Sequence, residues 1–311
     1  MLKMNQVLKI KTSYEIRLSN NLSLLAHIMN SKVVVYNFQT KSKMYELNQL
    51  KNPSKLLFSE DNKYLIIKNT KGDIWVYETN NFMVIKKFKS NKDYKLSEGS
   101  VSLAQGNKIL GLIHTPDSTS VALLDFCSDN IITILKVDKN NTIDIEFNQY
   151  VESDNIHLST LSYYLDDGGP RYFKLLKLKE PIGKKDIEHI ETNDIKNWNS
   201  VKFNYKHGIY ILIKDNSKIM KVKQDFNEII KFINLKDMHG DIGYFCSFDL
   251  TTDGTHAVLA YSQVIFIVDI VKMEITSYEK VPYTCFASFS NCNRYLLIGT
   301  HTCGFVLETN F

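Results

Sequence analysis

Three groups of residues in this chain have the types that catalysis or metal binding requires. Asp166-Asp167-Gly168-Gly169-Pro170-Arg171 places adjacent carboxylates beside an arginine, the raw material for holding a cation or for acid–base work. Asp and Gly are also what a tight turn between strands selects, and a turn accounts for the whole segment. Cys246, Cys285, Cys292 and Cys303, with His301 nearby, suggest zinc, but spacings of 39, 7 and 11 match no structural-zinc pattern. Asp144, Glu146, His207, Asp249 and Asp253 offer carboxylates and an imidazole with no alignment at equivalent positions of a repeat. The sequence holds no Gly-x-Ser-x-Gly elbow, no His-Glu-x-x-His, no phosphate loop and no Cys-x-x-Cys pair. Catalytic residues, metal ligands and cofactors are therefore all read as none.

Recognition chemistry is better represented. Tyr94, Asp166, Asp167, Arg171, Trp198, His239 and Tyr283 fall in or beside the connections between apolar runs and mix aromatics with charges, a composition suited to a protein or peptide partner. Trp198 follows the polar segment 184–197, read as an insertion.

These candidates need elements to hold them, and composition says which kind. The chain has 311 residues, 44% hydrophobic and 12% aromatic, with 13 glycines and 5 prolines, enough apolar surface for a core and too little Gly and Pro for a linker or collagen. Its net charge is +4, and only Arg17, Arg171 and Arg294 are arginines, so bidentate readout of base edges or phosphates is nearly missing. Specific nucleic-acid binding is not expected. The most apolar stretch, 257–271, is interrupted by Gln263 and Asp269 and is shorter than the roughly 20 residues a spanning helix needs. The amino terminus lacks a signal-peptide pattern, and five cysteines are an odd number, so a cytoplasmic protein with reduced thiols and no membrane insertion is expected, monomeric on its own.

Internal repetition decides the architecture. Over 55–85 the sequence reads as four short apolar runs separated by polar turns, an antiparallel meander. Phe58-Ser59 and Lys63-Tyr64-Leu65 return as Phe289-Ser290 and Arg294-Tyr295-Leu296 at a constant offset of 231. Five further copies bring the total to seven, with third strands ending at Tyr36, Tyr77, Leu124, Leu176, Val222, Val268 and Leu307. The mean unit is about 44 residues, within the span of four-stranded propeller blades.

Phe-Ser-x-Asp-x-Lys-Tyr-Leu at 58–65 and Gly-Asp-Ile-Trp-Val-Tyr at 72–77 resemble the second half of a repeat of the WD-repeat superfamily of β-propellers. The opening Gly-His and closing Trp-Asp pairs of that family are missing; Val35-Tyr36, Val76-Tyr77 and Val268-Asp269 stand in the latter place. The resemblance implies a single all-β domain over 1–311, a seven-bladed β-propeller of four-stranded antiparallel blades. Their approximate bounds are 11–47, 52–89, 99–137, 143–192, 200–235, 243–280 and 283–311, the last completed by a strand from 5–10. It also implies a non-catalytic scaffold that binds a partner on the loop face around a central channel. The alternative is a propeller-type hydrolase or lactonase, or a small-ligand binder, with a site at the channel mouth.

Overall fold

The segment read as strand, turn and strand over 55–67 forms the strands Pro53–Phe58 and Tyr64–Asn69. The same local grammar holds throughout, and the one helical element among the described residues is a single 3-10 turn, Leu235–Asp237. The computed structural model describes residues 5–11, 14–96, 101–104, 108–128, 130–138, 141–146, 151–152, 155–164, 172–179, 188–192, 198–204, 206–223, 228–237 and 240–309; over 141–198 only the strand paths are described, not the side chains.

Among the described residues the strands pair into seven antiparallel sheets, over 16–47, 53–88, 95–138, 141–192, 198–234, 245–280 and 284–308, the last joined by Asn5–Lys11. Every residue named as a third-strand end lies in the third strand of its sheet. The amino-terminal strand pairs antiparallel with Cys303–Glu308, from Asn5 opposite Glu308 to Lys11 opposite Cys303. Two corrections apply. In the sheets over 95–138 and 141–192 the expected single first strand is broken: Lys95–Leu96 and Ser102–Ala104 both pair with Lys108–His114, and Asn141–Glu146 and Val151–Glu152 both pair with Asn155–Tyr164. These sheets therefore have five strands, and the first of them starts earlier than expected. The segment read as an insertion also contributes Glu188–Thr192, the outer strand beside Tyr172–Lys179.

The chain divides into two compact units, one of residues 1–63 and 199–311, the other of 64–198. In the first unit, successive sheets pack face to face. Ile211, Ile219, Leu259 and Phe266 join one pair of sheets, Val258, Ile267, Ala287 and Leu296 the next, and Ile16, Leu25, Leu297 and Val306 a third. Because both faces of the middle strands are covered, those strands are continuous apolar runs, such as Val264–Asp269, rather than alternating ones. Outer strands face water on most positions, as in Ser42–Leu47.

Two devices recur without a sequence signature. The third and fourth strands slip by one residue at Val35/Tyr36, Val76/Tyr77, Lys221/Val222 and Ile267/Val268. Asn5–Lys11 makes the same slip, skipping Val7 opposite Val306/Leu307, as a genuine fourth strand would. The second device is the turn between first and second strands. Ser19, Ser59, Thr251 and Ser290 each accept, through the backbone carbonyl, from the N–H three residues on, at 2.8–2.9 Å. The residue reached, Leu22, Asn62, Gly254 or Asn293, has positive φ.

In the first unit these turns are tied to one another. Asn204 Nδ2 donates to the Gly254 carbonyl at 2.7 Å, Thr252 N–H to Asn293 Oδ1 at 2.8 Å, Asn291 to the Asn20 side chain, and Asn20 Nδ2 to the Glu60 carbonyl at 2.9 Å. A belt of asparagine carboxamides thus links these first turns.

Candidate functional site

The connections between one sheet and the next, with those between second and third strands, carry the predicted partner-binding residues. In the first unit, Tyr283 immediately precedes the strand Thr284–Phe289 and is 64% exposed. Its carbonyl accepts from the His301 N–H at 3.2 Å, and its ring lies 6.5 Å from the His301 ring. On the other side of His301 stands Tyr14, 49% exposed, edge-on at 5.6 Å, its N–H donating to the Thr300 carbonyl at 3.1 Å. Tyr14 and Tyr283 have φ of 69° and 62°, a conformation that costs a non-glycine residue on the order of 1 kcal/mol and that concentrates at functional sites.

Gly299 makes this arrangement possible. A β-carbon there would lie 1.6 Å from the Tyr14 carbonyl oxygen, so a side chain would expel the Tyr14 backbone. A fourth exposed aromatic, Tyr244, immediately precedes its own first strand and is fixed by Ser262, whose N–H donates to the Tyr244 carbonyl at 2.9 Å.

In the unit 64–198, Tyr94 occupies the topologically equivalent place before Lys95–Leu96. The Asn91 side chain accepts from the Asp93 and Tyr94 N–H groups at 2.8 and 2.9 Å, building the loop. The Tyr94 phenol is half-buried, which pushes its pKa up against the opposing pull of Lys86. Beside this loop lies a cavity of about 570 Å³ lined by Lys71, Asp73, Ser90, Asn91, Lys95, Leu96 and His114. His114 Nδ1 lies 2.8 Å from Thr119 Oγ1, and burial lowers its pKa.

Trp198 is the first residue of the strand Trp198–Asn204 rather than part of the connection before it; its side chain lies outside the described residues, as do Asp166, Asp167, Arg171 and His239. Tyr14 and Tyr244 were not singled out, and His301 was considered only beside the cysteines; the cluster of Tyr14, His301 and Tyr283 draws on both ends of the chain.

The acid–base candidates are engaged locally. Asp249 accepts from the Phe289 N–H at 2.9 Å and lies 3.7 Å from Lys202. Asp253 caps its own turn through Thr255 N–H and Oγ1, at 3.0 and 2.8 Å; against the effect of burial, the Thr251 hydroxyl and then Thr255 hold its carboxyl below the usual range. His207 is exposed in a turn, and the side chains of Asp144 and Glu146 lie outside the described residues. Among the described residues no three of His, Cys, Asp and Glu converge as a metal site would require, and no helix is long and apolar enough to cross a membrane. All five cysteines are free thiols; Cys246 is pushed up to about 12, chiefly by burial and further by neighbouring Cys285.

No family model and no curated protein sequence matches the chain. Solved structures do. The C-terminal WD40 domain of Sif2 matches with a TM-score of 0.69 at 11% identity, covering 99% of each chain. The β-propeller domain of Cps50 (Swd1) from Myceliophteria thermophila matches with a TM-score of 0.73 at 11% identity, covering 99% of this chain and 100% of that one. At that identity the likeness is one of fold, and with the repeated antiparallel sheets it shows the β-propeller fold of these domains.

Proposed function

We propose that the chain is a non-catalytic scaffold of seven blades, which binds a protein or peptide partner through the loops that lead into its first strands. The observation that carries this reading is the exposed trio Tyr14, His301 and Tyr283, held by two strained backbones. Tyrosine is enriched among interface hot spots because it offers a large rigid contact area with a polar tip. A monomer that leaves such rings in water on a fixed framework has a ready binding surface at little ordering cost. The partner-binding set read from the sequence, Tyr94, Asp166, Asp167, Arg171, Trp198, His239 and Tyr283, is retained in this proposal and extended by Tyr14, Tyr244 and His301. The WD40 neighbours support an interaction domain over an enzyme, and five free thiols suit a reducing cytoplasm.

The test is quantitative affinity purification from the native cell with the wild-type chain and with Tyr14→Ala/Tyr283→Ala. A partner whose affinity falls by about thirtyfold, the equivalent of a 2 kcal/mol hot spot, at unchanged melting temperature is the expected result. Equal recovery of every bound protein by both chains would overturn this surface.

A further inference from the structure

On the first strands of the unit formed by 1–63 and 199–311, one buried carboxylate serves two cations. Glu15, whose side chain is 6% exposed, lies 2.7 Å from Arg17 Nη2 and 3.2 Å from Lys55 Nζ, and its other oxygen accepts from the Leu56 N–H at 3.2 Å. Arg17 is further fixed by donating to Ser288 Oγ at 2.7 Å and by stacking 4.9 Å from the Phe286 ring. Lys55 has no comparable fixture. Its side chain is 35% exposed, and Glu15 engages one face of an ammonium that carries three N–H donors.

The three groups together carry one positive charge in excess; Lys202, whose charge is offset by Asp249 at 3.7 Å, adds only a weak like charge at Lys55. The Lys55 ammonium records these charges. Its pKa is pushed down by burial foremost, with Arg17 and Lys202 acting as like charges against the pull of Glu15. A compensating anion would offset both the surplus charge and the lost hydration.

We propose that Lys55, backed by Arg17, binds the anionic oxygen group of a small ligand, a phosphate or a carboxylate. The two cations, with side chains 22% and 35% exposed, can be approached by such a group, and charge-assisted bonds to an ammonium are the stronger class of hydrogen bond. This site is independent of the aromatic loops, and neither reading depends on the other.

The experiment uses the full chain at constant ionic strength, titrated separately with inorganic phosphate and with acetate and read by calorimetry and thermal melting. Saturable one-site binding of either anion is expected, and the anion that binds more tightly assigns the ligand class. Lys55→Met should weaken binding by about tenfold or more, while the exposed outer-strand substitution Lys280→Met leaves it unchanged. In anion-free buffer Lys55→Met should melt no lower than wild type, because Glu15 keeps Arg17. If Lys55→Met fails to fold, Lys55→Arg, which retains the charge, should still bind. No saturable binding of either anion, or equal affinity in Lys55→Met, overturns the proposal.

Discussion

The Asn293 side chain accepts a hydrogen bond from the backbone N–H of Thr252 at 2.8 Å, joining the same turn of two consecutive sheets across 41 residues of sequence. Asn293 also has a φ of 59°, so replacing it by alanine would mix backbone strain with the loss of the bond. Asn293→Gly separates them: glycine tolerates the backbone, and the lost bond should cost about 1 kcal/mol. Asn204→Ala removes the donor to Gly254 from a buried position and should cost more, about 1–3 kcal/mol. Urea unfolding with an unchanged slope measures both; stability equal to wild type in Asn204→Ala would mean the belt contributes nothing.

Removing residues 1–11 takes the outer strand from the last sheet and strips Ile10, which is 8% exposed, from the cluster it shares with Leu297 and Val306. Loss of that one buried side chain alone is worth about 2–5 kcal/mol. The truncated chain should melt far below the full chain in a calorimeter. An unchanged melting temperature would contradict the closure.

His27 is 1% exposed, and burial lowers its pKa from an ordinary 6.5 to about 4, against a backbone hydrogen bond at Ile28 that raises it. The unfolded chain therefore takes up this proton first. Stability is complete above pH 6.5 and falls as pH drops towards 4, by up to about 3 kcal/mol from this group. His114 and His256, lowered mainly by burial, act in the same direction. Denaturation between pH 7 and 4 should show a shallower loss in His27→Gln than in wild type.

Gly299→Ala places its methyl against the Tyr14 carbonyl. The expected outcome is a loss of several kcal/mol, as for other overpacked or strained sites, together with displacement of Tyr14. A tyrosine-specific quench or the Tyr14 resonances in a spectrum would report the displacement, and wild-type signals would rule it out.

The architecture was legible because apolar runs and turn residues recur at a nearly constant interval. Tyr36, Tyr77, Val222, Val268 and Leu307 were read as strand ends, and each lies beside a register slip between third and fourth strands. The slips themselves leave no trace, since skipping Met44 or Val7 changes pairing without demanding a residue type. The broken first strands were missed because pieces as short as Lys95–Leu96 and Val151–Glu152 carry no pattern of their own. Of the candidate site, Tyr283 was found as an aromatic before a strand. Tyr14 and His301 become its neighbours only when the two ends of the chain meet, which spacing along the sequence does not express. Asn20 and Asn204 pass for ordinary turn residues, and Lys55 is one lysine among many until Arg17 and Glu15 are brought beside it.

The pairing of Asn5–Lys11 with Cys303–Glu308 has a consequence for biogenesis. A ribosome makes the first of these strands long before the second exists, so nascent Val7, Leu8 and Ile10 must wait for Cys303–Glu308 before they can be covered. During that interval their apolar side chains are uncovered, and this sheet can lock only after synthesis has passed Glu308.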